Sequence, residues 1–516
     1  MKYIIGMDIG TTSTKAVLFD LKGRIVQVAH QLYPIIRENV DSAEEDPDVI
    51  YDATVAVLQQ VIQTAHFDAA QDQLLAISLS AQQHSIMGVD DEFNPVTKLA
   101  IWADNRAEKY ADQAKRDGSG LALALYQRTG VPTHPMAPYY KLQWYKHEAP
   151  ARFKQAKYWL GIKSYIIWKY FGQFLEEQPM AAATGLFNTR EMQWDVAALQ
   201  QLGLQASQLP QVVEATHQVH GLNPQLAKQI GIPAETPFVM GSSDGVATTI
   251  GVGAVRKGQI AIDIGTSAAV RTMVDEPQFD PKGRIYCYPV LPGKWIIGGP
   301  INNGGVVLRW ARDQFFNAEK STAELLNQDP YDLLTKIAGE APAGSKGLLF
   351  HPFLGGERAP IWSGNARGSF FGLTQTHTRA HMLRAILEGI VYNLFTVNLA
   401  LEEVMPKGDR QILATGGFAH SELWKHILAD VFEEPVKVPK SVEGGCMGAM
   451  VIAQISLGLA KDLTKVEDFL VKDAVNTYEP NPANFRAYRD LMPIYIRLSR
   501  ELAGEYDSIA EYQRTH

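Results

Sequence analysis

The stretch Met7-Asp8-Ile9-Gly10-Thr11-Thr12-Ser13 lies near the start of the chain, and a close copy returns halfway along as Ile262-Asp263-Ile264-Gly265-Thr266-Ser267. Each copy follows an apolar, β-branched segment, which predicts a buried strand ending in a tight turn of glycine and small hydroxyl residues. Such a turn leaves backbone N–H groups available and lets an anion approach without meeting a Cβ atom. The repeat therefore predicts two related halves, each with a turn suited to phosphate, and favours a nucleoside triphosphate held between them.

The composition limits the class of protein. A chain of 516 residues is long enough for two or more domains, and 46% hydrophobic and 20% charged residues are typical of a soluble globular protein. A net charge of −8 without a long Lys/Arg run argues against nucleic acid or an acidic membrane as partner. Two isolated cysteines and no apparent signal segment lead us to expect a cytoplasmic protein without disulfides or a zinc site.

The rest of the pattern alternates strands and helices, which favours two α/β domains. Asp46 followed by Pro47 predicts a helix start, and a helix is also predicted at Glu422–Phe432. The apolar segment 390–400 has glutamates close to both ends and predicts a buried core helix. We expect the boundary near 255–258, which gives domains 1–255 and 256–516.

Two acidic positions are candidates for phosphate chemistry. Asp8 and Asp263 lie at matching strand ends, where a carboxylate can hold Mg²⁺ directly or through water. The segment Gly241-Ser242-Ser243-Asp244-Gly245 places another carboxylate on a turn shortly before the second copy. Asp244 is therefore a candidate base for an attacking hydroxyl, although an aspartate that closes an ordinary turn is the alternative.

A glycine pair in Ala414-Thr415-Gly416-Gly417-Phe418-Ala419-His420-Ser421 permits a flat group such as adenine to approach the backbone. The alternative is a strand–helix turn in which Ser421 is only the N-cap. The chain contains neither a GxxxxGK[ST] loop nor a strand-coupled GxGxxG, so a P-loop protein and a dinucleotide enzyme are disfavoured.

Three polar stretches suit sugar recognition, which needs paired donors and acceptors beside an apolar face. They are Ser80-Ala81-Gln82-Gln83-His84, Trp102-Ala103-Asp104-Asn105-Arg106 and Thr133-His134-Pro135-Met136. Trp102 offers the apolar face, while Asp104 and Arg106 offer groups for hydroxyls or a carboxylate. For any one histidine a structural role is the alternative.

Two further motifs carry a resemblance to a known family. Gly368-Ser369-Phe370-Phe371-Gly372-Leu373 is followed after seven residues by His381-Met382-Leu383-Arg384-Ala385-Ile386-Leu387-Glu388, and Met136-Ala137-Pro138 is followed by Lys141, Leu142 and Trp144. The chain resembles the FGGY carbohydrate kinases over nearly its whole length. The resemblance implies an α/β fold of two actin-like (ribonuclease H-like) ATPase domains with a nucleotide cleft between them.

The resemblance also implies roles for individual residues, with ATP and Mg²⁺ as cofactors. Asp8 resembles the metal-associated aspartate and Asp244 resembles the catalytic base. The residues implied for ATP are Gly10, Thr11, Thr12, Lys15, Gly265, Thr266, Gly305, Arg309, Gly417 and Ser421, and those for sugar are Gln83, His84, Trp102, Asp104, Arg106, His134 and Asp244.

Within the family, the phrases 102–106, His134-Pro135-Met136 with Pro138, and 298–305 are most similar to those of gluconate kinases. They imply phosphorylation of D-gluconate, a sugar acid, to 6-phospho-D-gluconate. The substrate carboxylate then needs a cation, and Arg106 and Lys163 are the candidates. The alternatives are the same chemistry on xylulose or another polyol, and a nucleotide-switched actin-like binding or sensor protein. A homodimer is consistent with the resemblance.

Overall fold

The computed structural model of the protein describes residues 1–67, 71–405, 408, 410–439, 443–470 and 475–516. Contacts divide the chain into two compact units. Unit 1 comprises Met1–Lys257, Met273–Ile297 and Ser441–Asp473, and unit 2 comprises Gly258–Thr272, Gly298–Lys440 and Ala474–His516. Both units are of mixed α/β type.

The strands, in chain order, are β1 (Lys2–Ile9), β2 (Ser13–Asp20), β3 (Ile25–Leu32), β4 (Glu44–Glu45), β5 (Gln73–Ala81), β6 (Met87–Val89), β7 (Leu99–Ala100), β8 (Tyr158–Leu160), β9 (Leu175–Glu177), β10 (Phe187–Asn188), β11 (Gln193–Trp194), β12 (Gln211–Val213), β13 (Gln218–Val219), β14 (Phe238–Ser243), β15 (Gln259–Ile264), β16 (Ala268–Val274), β17 (Tyr286–Leu291), β18 (Lys294–Ile301), β19 (Leu349–His351), β20 (Ser369–Phe371), β21 (Gln411–Thr415), β22 (Val436–Pro439) and β23 (Val475–Tyr478).

The α-helices are α1 (Pro47–Thr64), α2 (Glu108–Arg116), α3 (Leu121–Thr129), α4 (Pro138–Glu148), α5 (Pro150–Gln155), α6 (Ile162–Phe171), α7 (Gln178–Ala182), α8 (Val196–Leu202), α9 (Pro224–Ile230), α10 (Asp244–Gly251), α11 (Gly305–Phe315), α12 (Asn317–Leu325), α13 (Pro330–Gly339), α14 (Arg379–Val404), α15 (Glu422–Phe432), α16 (Gly444–Ser456), α17 (Glu467–Leu470), α18 (Pro482–Glu501) and α19 (Ala503–Thr515).

Unit 1 is built on a six-stranded sheet in the order β13-β14-β5-β1-β2-β3. Its central strand β1 runs parallel to β5 and antiparallel to β2. Because side chains alternate across a strand, Ile5 and Met7 of β1 join one apolar cluster with α1, whereas Ile4 joins a second cluster with α16. The sheet is therefore covered by an apolar layer on both faces.

Two segments that the sequence places in the second domain belong to unit 1 by their contacts. In the first, the Tyr126 hydroxyl donates a hydrogen bond to the Ile285 carbonyl at 2.8 Å, and the Cys287 amide donates to the Gly130 carbonyl at 3.0 Å. The second contains α16, which crosses so close to β1 that a Cβ atom on Gly6 would lie 2.0 Å from the Cys446 carbonyl oxygen. These contacts are non-local, so the sequence pattern does not show them.

Strands β15, β21, β22 and β23 of unit 2 belong to a seven-stranded sheet in the order β17-β18-β16-β15-β21-β22-β23. Strand β15 is antiparallel to β16 and parallel to β21, which repeats the arrangement of β1 with β2 and β5. The two Gly-Thr turns predicted from sequence connect the antiparallel pairs in both units. Each turn closes with a glycine amide, Gly10 to the Ser13 carbonyl at 3.0 Å and Gly265 to the Ser267 carbonyl at 2.9 Å.

The predicted helices are present. Helix α1 begins at Pro47 with Asp46 as N-cap, and α15 has the predicted bounds. The apolar segment 390–400 lies in α14, the one described helix whose length and composition would allow it to cross a membrane. The apolar window of α14 is 78% buried inside the protein, as expected for a core helix.

We expect Gly448→Ala to destabilise unit 1 by about 1–3 kcal/mol, because the added Cβ would lie 1.9 Å from the Ala247 carbonyl oxygen of α10. Gly504→Ala is the matched control, since Gly504 is also helical but has nothing within 4 Å of its Cβ position. The control should gain up to about 1 kcal/mol from helix propensity. Thermal unfolding of both variants tests this, and equal effects would contradict the close α10–α16 contact.

Candidate active site

The carboxyl ends of three parallel strands bring the acidic candidates of unit 1 to one sheet edge. Asp8 of β1 pairs with Ser80 of β5, and Ser80 pairs in turn with Ser242 of β14. The Ser80 hydroxyl donates a hydrogen bond to Asp8 Oδ1 at 2.6 Å. Asp244 begins α10 directly after β14 and is half-buried, and its Oδ1 accepts from the Gly245 amide at 2.7 Å. Ligands of α/β sheets bind at this kind of edge.

The surroundings of Asp8 fit a magnesium ion. A Cβ atom on Gly445 would lie 2.6 Å from Asp8 Oδ2, so the first turn of α16 touches the carboxylate. Burial raises the pKa of Asp8, while Ser80, Lys15 and Lys163 oppose that rise. Among the described residues no three His, Cys, Asp or Glu side chains form a metal cluster. Magnesium commonly takes one or two carboxylates, with water and substrate phosphates completing the shell, so a site centred on Asp8 is chemically reasonable.

The first Gly-Thr turn is held by a chain of hydrogen bonds. The Trp102 indole donates to the Thr11 hydroxyl at 3.0 Å, and Thr11 donates to Gln82 Oε1 at 3.3 Å. Gln82 Nε2 donates to Glu45 Oε2 at 2.6 Å. Burial raises the pKa of Glu45 to about 8. The chain joins Trp102, a predicted sugar residue, to the turn predicted to bind phosphate.

Two other predicted phosphate residues flank this turn. Thr12 is exposed at the tip of the turn. Lys15 of β2 forms an ion pair with Glu443, with Nζ 2.6 Å from Oε2 and both side chains about one-third exposed (35% and 30%). Lys15 is therefore reachable from solvent but is already neutralised by one carboxylate.

Gln83, His84 and His134 are buried, and the hydrogen bonds of the two histidines indicate their tautomers. His84 Nδ1 lies 2.7 Å from the Ala183 carbonyl, so a neutral ring donates there and its Nε2 is an acceptor. His134 Nδ1 accepts from the Met136 amide at 3.1 Å, so its Nε2 carries the proton.

Lys141 ties two of the predicted sugar segments together. Its buried ammonium donates to the His84 carbonyl at 2.9 Å and to the Met136 carbonyl at 2.5 Å. Burial lowers the pKa of Lys141 to about 7. The lysine that the sequence singles out only as part of a family motif therefore fixes the backbone beside both histidines.

The two cations predicted for a substrate carboxylate, Arg106 and Lys163, both form ion pairs with carboxylates of the protein itself. The Arg106 guanidinium lies 2.6 Å from Glu44 Oε1 and 2.8 Å from Asp104 Oδ2, and it stacks on Trp144 at 4.4 Å. Asp104 also accepts from the Ala43 amide at 2.9 Å. The two carboxylates exceed the single positive charge of Arg106, so the three side chains together carry a net charge of −1, and they join segment 102–106 to segment 43–44.

Lys163 is not available for a substrate carboxylate, and the prediction that named it as a candidate is wrong. Its side chain is fully buried, and Nζ lies 2.5 Å from Glu177 Oε1. It also donates to the carbonyls of Met240 at 3.0 Å and Ser242 at 2.7 Å. A buried ammonium needs such partners, and Lys163 therefore acts as an anchor beneath β14.

The second Gly-Thr turn, in unit 2, is enclosed by two glycine segments. The Gly305 amide donates to the Gly265 carbonyl at 2.7 Å, and the Val306 amide donates to the Thr266 carbonyl at 3.1 Å. Gly416 has φ +104°, and a Cβ atom there would lie 2.4 Å from the Ile264 carbonyl oxygen. Only glycine allows this approach, and it brings the next residue, Gly417, to the turn.

These segments line a cavity of about 490 Å³ in unit 2. That volume lies in the range typical of small-molecule sites. The lining contains the predicted residues Gly265, Thr266, Gly305, Arg309, Gly417 and Ser421, together with Ile264, Val306, Leu308, Asp329, Tyr331, Asp332, Thr335, Phe418, His420 and Trp424. All six nucleotide-side residues predicted in the second half of the chain therefore meet at one cavity.

The cavity also contains residues that sequence reasoning missed. Asp332 and Thr335 lie on α13 and Trp424 on α15, and no motif marks α13 as a wall of the cavity. Asp329 and Pro330 mark only the start of that helix. Ser421 has the N-cap role named as the alternative, because its hydroxyl accepts from the Trp424 amide at 3.2 Å. Its hydroxyl can still donate to a ligand.

Comparisons with known proteins agree with this arrangement. Residues 3–251 match the model of the FGGY family of carbohydrate kinases, N-terminal domain, and residues 260–457 match that of the C-terminal domain. The chain belongs to the FGGY family of carbohydrate kinases. It is therefore a phosphotransferase that acts on sugar hydroxyls, with ATP as co-substrate and the two-domain actin-like fold.

Three individual relatives are similar to this chain over nearly its full length. The chain is 45% identical to the gluconokinase of Bacillus licheniformis, over 99% of this chain and 98% of that protein. A gluconate kinase structure from Lactobacillus acidophilus superimposes with a TM-score of 0.91 at 39% identity, covering 98% of this chain and 99% of the other. A ligand-bound xylulose kinase structure from the same organism gives the same score and identity, covering 99% of this chain and all of the other.

We expect Gly417→Val to weaken ATP binding by an order of magnitude or more without loss of stability. An added Cβ at Gly417 meets nothing within 4 Å, so the branched side chain would occupy the cavity. Gly339→Val is the control, because its Cβ position is also open and the residue does not line the cavity. Titration calorimetry with an ATP analogue measures both, and unchanged affinity in Gly417→Val would show that nucleotide binds elsewhere.

Glu45 should make stability depend on pH. Because burial raises its pKa from 4.5 to about 8, the folded state favours the protonated acid. The stability of the wild type relative to Glu45→Gln should fall between about pH 4.5 and pH 8, by at most about 1.4 kcal/mol per pH unit. Urea unfolding across that range tests this, with exposed Glu92→Gln as control. A difference that stays constant with pH would show that Glu45 is ionised.

Proposed function

We propose that this FGGY kinase is an ATP- and Mg²⁺-dependent gluconokinase, which transfers the γ-phosphoryl group of ATP to the terminal hydroxyl of D-gluconate. The 45% identity to the gluconokinase of B. licheniformis, over nearly the full length of both chains, carries the choice of substrate. The sheet edge with Asp8 and Asp244 and the cavity beside the second turn supply residues for the chemistry.

In this proposal Asp244 orients the terminal hydroxyl and accepts its proton. Asp244 is half-buried at the start of α10, so its carboxylate is accessible to a substrate while the helix fixes its backbone. In a loose phosphoryl-transfer transition state, positioning of the hydroxyl contributes as much as proton removal. The glycine-rich turns offer backbone N–H groups to the phosphates. Asp8 would hold Mg²⁺, which when bound offsets the charge on the phosphates.

Recognition of the sugar rests on groups with fixed directions. In this proposal His84 supplies an acceptor, His134 supplies a donor and the Trp102 ring supplies an apolar surface. Of the two predicted cations, Arg106 remains the candidate for the substrate carboxylate. Because the carboxylates of Glu44 and Asp104 together exceed its single charge, Arg106 would contribute directed N–H groups and no net electrostatic attraction.

A pentulose such as xylulose is the second candidate substrate. The observation that favours it is the ligand-bound xylulose kinase structure of L. acidophilus, which matches this chain as closely as the gluconate kinase structure does. The chemistry assigned to Asp244 is the same for either substrate, so only a substrate comparison separates them.

We expect ADP release with MgATP to be fastest with gluconate in a panel that also contains xylulose, ribulose and glycerol. Asp244→Asn should bind an ATP analogue normally but lose turnover by about 10²–10⁴-fold. A coupled ADP assay and titration calorimetry measure these two properties. Preference for xylulose would overturn the substrate assignment, and near-normal turnover of Asp244→Asn would remove Asp244 from the mechanism.

A further inference from the structure

Glu357 is a fully buried carboxylate in unit 2 that accepts hydrogen bonds from four groups. Its Oε1 accepts from the backbone amide of Asn302 at 2.5 Å and from the backbone amide of Arg358 at 2.8 Å. Its Oε2 accepts from the side-chain amides of Asn303 at 2.9 Å and Asn393 at 2.8 Å. No family motif in the sequence points to this residue, and it does not line the cavity.

The donors connect Glu357 to the turn at 302–305. Asn303 also donates to the Gly356 carbonyl at 2.7 Å and accepts from the Gly355 amide at 3.3 Å. Asn302 donates from its side chain to the Gly355 carbonyl at 3.1 Å. The two asparagines are therefore locked to the segment that carries Glu357, and Asn393 fastens the carboxylate to α14.

The far side of the same turn contacts the second Gly-Thr turn. A Cβ atom on Gly304 would lie 2.6 Å from the Ser267 carbonyl oxygen, and the Gly305 amide donates to the Gly265 carbonyl. Helix α11 begins at Gly305, and Gly305 and Arg309 line the cavity. A shift of Asn302 or Asn303 would therefore move residues on the cavity wall.

Burying a carboxylate is costly, and apolar side chains would stabilise a core as well or better. The cost is visible here, because burial raises the pKa of Glu357 to about 7 despite its donors. A carboxylate has the advantage that two oxygens can receive four donors and so fix two chain segments in one geometry. An apolar residue cannot do this.

We propose that Glu357 is a positioning residue for the nucleotide: it fixes the turn at 302–305 so that Gly305 and Arg309 face the bound phosphates and adenosine. The inference rests on the ATP-dependent function proposed above. Glu357 acts through the asparagines and the turn, and it needs no contact with ATP.

The test compares Glu357→Gln with Glu388→Gln at pH 8, where Glu357 is ionised. Glu388 is a matched control, a buried carboxylate of unit 2 that accepts from the Gly344 amide, Ser345 and Arg384 but has no hydrogen bond to the turn. In either variant the new amide NH₂ faces groups that are themselves donors. Both should therefore lose stability, and Glu388→Gln should lose more because it also breaks the buried ion pair with Arg384.

Only Glu357→Gln should raise the Kd for an ATP analogue, measured without sugar, and the KM for ATP, both by about tenfold. Its KM for the sugar substrate should stay within about twofold of wild type, and Glu388→Gln should keep both KM values. Unchanged ATP affinity in Glu357→Gln, or an equal rise in Glu388→Gln, would overturn the proposal and leave a purely structural carboxylate.

Asn303→Ala is a milder variant that serves if Glu357→Gln fails to fold. It should also raise the KM for ATP. Where Glu357→Gln and Asn303→Ala both fold, the double variant should have a KM for ATP no higher than that of Glu357→Gln, because the two residues act through one contact. Additive effects would contradict the shared route. If the wild type binds ATP but prefers another sugar, only the substrate assignment is overturned. If the wild type has no affinity for nucleotide, both the proposed function and the positioning role of Glu357 are overturned.

Discussion

The contact between the first turn of α16 and the carboxylate of Asp8 determines how unit 1 is built. Gly445 lies against Asp8, Cys446 lies against Gly6 of β1, and Gly448 lies against α10. Each of these approaches is possible only because one partner lacks a side chain. Asp8 is consequently fixed and partly desolvated at the end of β1, with Ser80 beside it on β5 and Ser242 one strand further along on β14.

The two Gly-Thr turns are supported in a similar way although their neighbours differ in sequence. In unit 1, Glu45 holds Gln82, which contacts Thr11. In unit 2, Glu357 holds Asn303 in the turn that contacts Gly265. In both, a buried carboxylate with a raised pKa acts through a side-chain amide. A glycine turn has little rigidity of its own, so an exact arrangement of its N–H groups has to come from outside it.

Patterns among neighbouring residues predicted the local features of the structure, its turns and helix ends. The repeated turn, the N-cap at Asp46 and the bounds of α15 follow from neighbouring residues, and the structure contains all three. The burial of Lys163 could not be predicted, because nothing near it in sequence shows that Glu177 and three backbone carbonyls surround its ammonium. The role of α13 as a wall of the cavity was equally invisible, since it depends on packing between distant segments.

The division of the chain into units has a consequence for synthesis on the ribosome. Unit 1 needs α16, whose residues Met447, Met450 and Val451 complete an apolar cluster on one face of its sheet, yet α16 is made after most of unit 2. Domains usually fold as they emerge, N-terminal first. Here the N-terminal sheet emerges with one face uncovered and keeps it so for nearly 200 residues of further synthesis, between Lys257 and Gly444. The nascent chain thus passes through a long stage in which an apolar sheet surface is open to chaperones or to other chains.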